Sequence, residues 1–299
     1  MSPGLRRGLV PLLVLAAALF AFNQTRLLAR DLAVQRLGAA RLLADQVRAE
    51  VEAELLAELD RLVVEPPVRQ LLTAADIPAV ATALRTRQGA RTTVQAVGTG
   101  ETLRIVTSGP FNAGTLWETT RAALEHGSGA GVEPDARTGE LAIVAATRQA
   151  SADGGVAAVA IARPLDESFA ALLKARTGLD VTFYGTDGLR RASSLAEDGE
   201  REGGEPAPGG LWRRWERRQR PFVMASVSRA VAVDPVRTQQ GRVVGVREMA
   251  APLPYHEALR RLPTSRRFLL ELLFLALAGF MAALLAGGAA GPPGRLERP

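Results

Sequence analysis

Cysteine is absent from the 299 residues, which excludes disulfides, a thiolate nucleophile and any cysteine-ligated metal. An oxidising compartment stays open, because a domain with a sizeable core needs no staples. Histidine occurs twice, at His126 and His256, and two residues so far apart in sequence make a poor metal site. Neither metal nor cofactor is expected. Lysine occurs once, at Lys174, so the other 36 basic residues are arginine. That skew, beside abundant alanine, glycine and leucine, is the mark of a GC-rich coding sequence. It weakens the net charge of +6 as a sign of nucleic acid, since no recognisable module clusters the charge. The lone lysine also rules out a Gly-x-x-x-x-Gly-Lys phosphate loop. No serine sits in a nucleophile-elbow pattern, so the chain reads as a non-enzyme.

What is present begins with two uncharged runs. Residues 8–25 are bounded by Arg7 and Arg26, and residues 272–294 follow Glu271, with leucine, phenylalanine and alanine filling 272–290. A bilayer needs about 20 apolar residues in a helix. The second run meets that length, and the first is just long enough. The first also fits a cleaved signal peptide, with Arg6 and Arg7 as its basic start. Its exit, crowded by Phe20, Phe22 and Asn23, lacks the small residues of a cleavage site, which favours an uncleaved anchor. Arginines flank both sides of both runs. The first span usually sets orientation and long domains translocate regardless of charge, so the middle region is expected outside. The layout is then a cytoplasmic tail at 1–7, spans at 8–25 and 268–290, an extracytoplasmic domain at 26–267, and a cytoplasmic tail at 291–299. The expected address is the inner membrane.

Between the runs, residues 26–64 read as one long helix. Leu43, Val47, Val51, Leu55, Leu59 and Leu62 form a stripe at helical spacing, and Pro66-Pro67 stops it. A helix at 77–87 follows Asp76 as N-cap, with Pro78 close behind. Strands are expected at 93–97, 103–107, 141–147, 156–162, 180–184, 189–193, 222–233 and 242–249. Helices are expected at 116–125, capped by Thr115, and at 166–176, ended by Gly178. Residues 127–131, rich in glycine, read as a loop, as does the acidic stretch 197–210. Short turns between adjacent strands imply antiparallel pairing. The fold class is therefore α+β: a long N-terminal helix packed on antiparallel sheet modules, flanked by two transmembrane helices. The strand–helix grouping occurs twice, which implies two stacked modules, a membrane-distal one at about 76–165 and a membrane-proximal one at about 166–255.

A run of phrases supplies a resemblance. Arg163-Pro164-Leu165-Asp166-Glu167-Ser168-Phe169 leads through Leu172-Leu173 to Thr177-Gly178-Leu179-Asp180-Val181-Thr182-Phe183-Tyr184. Asp187-Gly188 and Ala192-Ser193-Ser194-Leu195 follow, and later Gly241-Arg242-Val243-Val244-Gly245-Val246 ends in Ala251-Pro252-Leu253. This resembles the extracytoplasmic sensor domains of the Cache type found in bacterial sensor kinases, cyclases and chemoreceptors, most clearly over 162–253. Arg295-Leu296-Glu297-Arg298-Pro299 resembles the opening of a HAMP linker, although Gly291-Pro292-Pro293-Gly294 departs from the helix such a linker prefers. The resemblance implies a sensory domain that binds a small ligand and signals across the membrane. It also implies a homodimer, and a cytoplasmic output or signalling partner beyond residue 299.

A ligand pocket in this class lies between a sheet face and the loops over it, with a few polar groups converging among apolar ones. Arg104, Trp117, Arg148 and Tyr184 are the candidates, arginine suiting a carboxylate by forked hydrogen bonds. Each also reads as an ordinary surface or core residue. The run from Trp212 to Arg220, with five arginines and two tryptophans, reads as an anion surface, as a partner of the acidic loop before it, or as a patch against anionic headgroups. Two other functions remain open. One is an envelope structural protein that binds a partner protein, and the other is a membrane-bound hydrolase, since composition alone leaves a Ser-His-Asp triad available.

Overall fold

The computed structural model describes residues 3–89, 92–99, 103–111, 116–150, 155–195, 209–225 and 229–252. Helix α1 spans Pro3–Val64, α2 Pro66–Thr73 and α3 Ile77–Gln88, followed by strands β1 Thr93–Thr99 and β2 Leu103–Ser108. Helix α4, Glu118–His126, leads into β3 Ser128–Pro134, β4 Leu141–Ala150 and β5 Val156–Pro164. The series then repeats as α5 Glu167–Thr177, β6 Asp180–Gly185, β7 Arg190–Ser193, α6 Gly209–Arg218, β8 Phe222–Ala225, β9 Arg229–Arg237 and β10 Val243–Pro252. The chain divides into two compact units. One comprises residues 1–35, 225–230 and 252–299; the other comprises 36–224 and 231–251 and holds both sheets, and the packing described below lies within it.

The two five-stranded sheets share one strand order. The first runs β2-β1-β5-β4-β3 and the second β7-β6-β10-β9-β8. In each, a hairpin is laid down first, a helix follows, and a three-strand meander returns to place its last strand beside the hairpin's first. The pairs β1–β2, β1–β5, β3–β4, β4–β5, β6–β7 and β6–β10 are all antiparallel. The architecture is thus α+β, with a long N-terminal helix and two antiparallel sheets.

Local chemistry explains several boundaries. Asp76 accepts a hydrogen bond from Ala79 N at 3.2 Å and opens α3, with Pro78 inside the first turn. Asp166 accepts from Ser168 N and Phe169 N and opens α5. Gly178 closes it in the left-handed region, at φ +67°, where a side chain would be strained. On α1, Leu37, Ala40, Ala44, Val47, Val51, Leu55, Leu59 and Leu62 are buried. That is the expected stripe with Ala44 in place of Leu43, which is only half-buried. Steps of three and four turn one face to the core.

Three sequence expectations are corrected and one, at Pro66-Pro67, is extended. Residues 127–131 are not a loop: Ser128 onward is β3, with Gly129 opposite Ala146 and Gly131 opposite Val144. The glycines are there for space, since a Cβ on Gly129 would lie 2.8 Å from the Thr119 carbonyl of α4. Pro66-Pro67 ends α1 but also begins α2, because proline is tolerated in a first turn. The N-cap of α4 is Trp117, not Thr115, which lies outside the described residues. The expected strand 222–233 is two strands, β8 and β9. The basic run from Trp212 belongs mostly to α6, which buries Leu211 and Trp215 against Phe222, Val231, Val233, Val246 and Ala250 of the second sheet.

Among the residues whose side chains are described, no helix is long and apolar enough to cross a membrane. The run 268–290 lies outside the described residues. Residues 8–25 fall in the helical backbone of α1, and their side chains are not described.

Candidate ligand-binding site

Alternation along the strands of the first sheet sorts its residues onto two faces. Register puts Thr93, Gln95 and Val97 of β1 with Ala158, Ala160 and Ala162 of β5, and these with Ala142, Val144, Ala146 and Arg148 of β4. Gly129, Gly131 and Glu133 of β3 complete that face. Alanine and glycine make it shallow. Helix α4 and the aromatic pair Phe111 and Trp117 cover it, their rings meeting edge-on with centroids 5.8 Å apart.

The polar groups under that cover are few and buried. Gln95 is fully buried, and its Oε1 accepts from Trp117 N at 3.2 Å. Glu133 is buried at the other side and accepts from both Thr119 N and Thr119 Oγ1 at 2.8 Å, which ties the first turn of α4 to the sheet. Burial pushes the Glu133 carboxyl above the usual carboxylate range, against the pull of those two hydrogen bonds. Two donors are left over. Trp117 Nε1 and Thr120 Oγ1 are buried with no hydrogen-bond partner among the described residues. A buried polar group without a partner costs on the order of 1–3 kcal/mol, so an indole N–H and a hydroxyl left open under one helix call for an explanation.

Of the four residues singled out from sequence, two share this face. Trp117 lies beneath the cover. Arg148 stands at the exposed end of β4, where its Nη1 donates to Leu124 O at 3.2 Å. Arg104 is exposed and pairs with Gly98, which places it on the opposite face. Tyr184 belongs to the second sheet, buried, with its hydroxyl donating to Glu248 Oε2 at 3.0 Å. The four therefore do not form one pocket. Gln95, Thr120 and Glu133 were missed. A glutamine flanked by valine and alanine inside a strand was the available signal, because only burial with a partner makes such a residue tolerable.

A second polar cluster lies on the α1 side of the second sheet. Arg247 of β10 is buried and donates from Nη1 to Asp45 of α1 at 2.9 Å; its Nη2 meets Asp234 of β9 at 3.5 Å. Asp234 also pairs with Arg41 of α1. Burial pushes Asp234 up, while Arg247 and Arg41 pull it down. Further along, Arg36 donates to the Gly178 carbonyl at the end of α5. Side chains of α1 thus hold the second sheet and α5 by charge as well as by the buried stripe.

No protein-family model and no curated protein matches the chain. Among solved structures, the chain is similar to the ligand-binding domain of the Pseudomonas fluorescens chemoreceptor CtaA in complex with L-serine. Identity is 15% and the TM-score 0.40, over 75% of this chain and 98% of that one. It is similar to the periplasmic domain of Vibrio cholerae LuxQ at 12% identity and a TM-score of 0.44, over 74% and 99%. It is also similar to the sensory domain of the Campylobacter jejuni chemoreceptor Tlp3 with isoleucine bound, at 10% identity and a TM-score of 0.42, over 77% and 95%.

Proposed function

We propose that this chain is a membrane-anchored extracytoplasmic sensory domain. It binds a small ligand under α4 on the first sheet and passes the change to α1. The observation that carries the reading is the pair of buried, unpartnered donors, Trp117 Nε1 and Thr120 Oγ1, beside fully buried Gln95. Two donors suit a ligand that brings acceptor oxygens, such as an amino acid or organic acid. Arg148 at the rim suits its negative charge. Signalling needs a ligand that favours one of two arrangements of α4 and α1. In this reading the first sheet is the membrane-distal module, the second the membrane-proximal one, and residues 8–25 and 268–290 are the spans. The unit is a homodimer, and the output lies with a cytoplasmic partner or domain.

The test is a thermal-shift screen of the full chain in detergent against amino acids, organic acids and amines. A ligand at about 100 times its Kd adds about 2.7 kcal/mol and raises the melting midpoint. Trp117→Phe and Thr120→Val should each weaken the response about tenfold, while Arg104→Gln on the opposite face leaves it intact. A screen with no shift, or a shift indifferent to both substitutions, would sink the reading.

One observation favours the alternative of a partner-binding envelope protein. The edge strand β2 exposes Leu103 and Ile105, 58% and 40% accessible, and an open apolar edge invites pairing with another chain. Loss of a co-purifying protein on Ile105→Lys, with the ligand response absent throughout, would support it.

A further inference from the structure

A cavity of about 170 Å³ lies between α1, α5 and the second sheet, on the face of that sheet away from α6. Its apolar side includes Phe169 and Leu173 of α5, with Val132 of β3, Phe183 of β6 and Leu165 beside them. Its polar side carries Asp45 and Arg48 of α1, Arg237 of β9 and Arg247 of β10. Two of these guanidiniums are incompletely used. Arg48 Nε and Arg247 Nε are buried with no hydrogen-bond partner among the described residues. Arg48 has only a long approach to Glu52, at 3.8 Å. Arg247 spends Nη1 on Asp45 and Nη2 on Asp234, which leaves its Nε over. Counting the pairs around the cavity, four arginines (41, 48, 237, 247) meet three carboxylates (Asp45, Glu52, Asp234), a surplus of one positive charge.

We infer that this cavity binds a small organic monocarboxylate, its carboxylate bridging Arg48 and Arg247 and its compact apolar body resting on Phe169 and Leu173. One negative charge matches the surplus, and a carboxylate supplies two acceptors for two open N–H donors. A cavity of about 150 Å³ is enough for benzene, so the volume suits an acid of benzoate or short branched-chain size. A phosphate dianion would overshoot the charge and leave the apolar side unused. Because Arg48 sits on α1 and Arg247 on β10, the bound anion would cross-link helix to sheet. The site is separate from the one under α4, and neither depends on the other.

Isothermal titration of the full chain in detergent with benzoate and isobutyrate tests this. Benzyl alcohol serves as the neutral probe and inorganic phosphate as the non-apolar anion. Saturable binding of at least one carboxylate is expected. Arg48→Gln should weaken it about tenfold or more. Arg48 is partly exposed and only loosely paired, so that variant keeps the fold. Leu173→Trp, which fills the cavity, should abolish binding, with circular dichroism checking that it is folded. Trp117→Phe should leave it unchanged, whatever becomes of the site on the first sheet. The inference is overturned if neither carboxylate binds, if Arg48→Gln binds as wild type does, or if benzyl alcohol or phosphate binds as well as the acids. Loss of binding on Trp117→Phe alone would likewise overturn it, by moving the acid to the first sheet.

Discussion

Glu133 accepts two hydrogen bonds from Thr119, yet its carboxyl is raised because burial outweighs them. The native state then holds this proton at pH values where the unfolded chain has released it, so stability falls as pH rises through the raised value. Below the ordinary carboxylate range both states are protonated and the penalty is gone. Glu52 and Asp234 are raised for the same first reason and add in the same direction. Glu133→Gln keeps an acceptor for Thr119 and removes the charge. Its melting midpoint, followed from about pH 4 to neutrality, should decline less than that of wild type and should match or exceed it at the neutral end. A variant as steep as wild type would mean that Glu133 is not the buried acid described. The Arg247 cluster makes a contrasting case. Asp234 is 8% accessible at its side chain, and Arg247→Leu leaves it with Arg41 alone. Breaking a buried pair this way costs about 3–5 kcal/mol. Asp45, 56% accessible, meets the same arginine from the solvent side, and Asp45→Ala should cost under about 1 kcal/mol. Urea denaturation of both variants separates the two contributions.

Helices are where sequence and structure agree best and also where they part. The N-cap of α3 and the end of α5 were legible because Asp76 and Gly178 act on backbone groups within four residues, whereas Asp166, expected inside its helix, is the cap before it. The stripe of α1 was legible for the same reason of local period. Helix α6 was not read. Four of its residues are arginine and two are tryptophan, and that composition drew attention to surface chemistry. Its amphipathic spacing places Leu211 and Trp215 one turn apart against the second sheet, while Trp212 donates to Glu216 on the flank. Trp215→Ala should therefore destabilise by about 3–5 kcal/mol. Arg213→Gln and Arg214→Gln, on exposed positions, should change stability by under about 0.5 kcal/mol. Equal effects from all three would contradict the buried face. Of the residues on the candidate face, the sequence singled out Trp117 and, at the rim, Arg148. Gln95 and Thr120 gain their meaning from the pairing of β1 with β5, some 65 residues away along the chain, and no local pattern announces a partner at that distance. Strand β3 was lost for a related reason, since Gly129 and Gly131 mark the close approach of α4 rather than a turn.

At the scale of the whole chain, one strand order occurs twice, and each copy places a helix between its hairpin and its meander. The correspondence sets α4 and α6 in equivalent positions, each covering one face of its sheet. The two covers differ in what lies under them. Beneath α6 the interior is filled by tryptophan, leucine, phenylalanine and valine, and Tyr184 is satisfied by Glu248. Beneath α4 the sheet offers alanine and glycine, with the open donors of Trp117 and Thr120. On the proposed reading, the first sheet, less filled beneath its helix, is the one that holds the ligand. That division serves a receptor only if the chain is held in a membrane with both sheets outside. The apolar runs 8–25 and 268–290, the second with Glu271 as its one charge, are long enough for about one crossing each. Alkaline carbonate should leave the full chain in the membrane fraction, and an N-terminal epitope should remain attached, since the exit of the first run lacks small residues for cleavage. Alkaline phosphatase joined after residue 225 should be active, because it needs an oxidising compartment to form its disulfides. An inactive fusion at that point, with the same reporter active when joined to the N-terminus, would reverse the orientation and remove the basis for sensing outside the cell. Release of the chain by carbonate would remove the anchor itself.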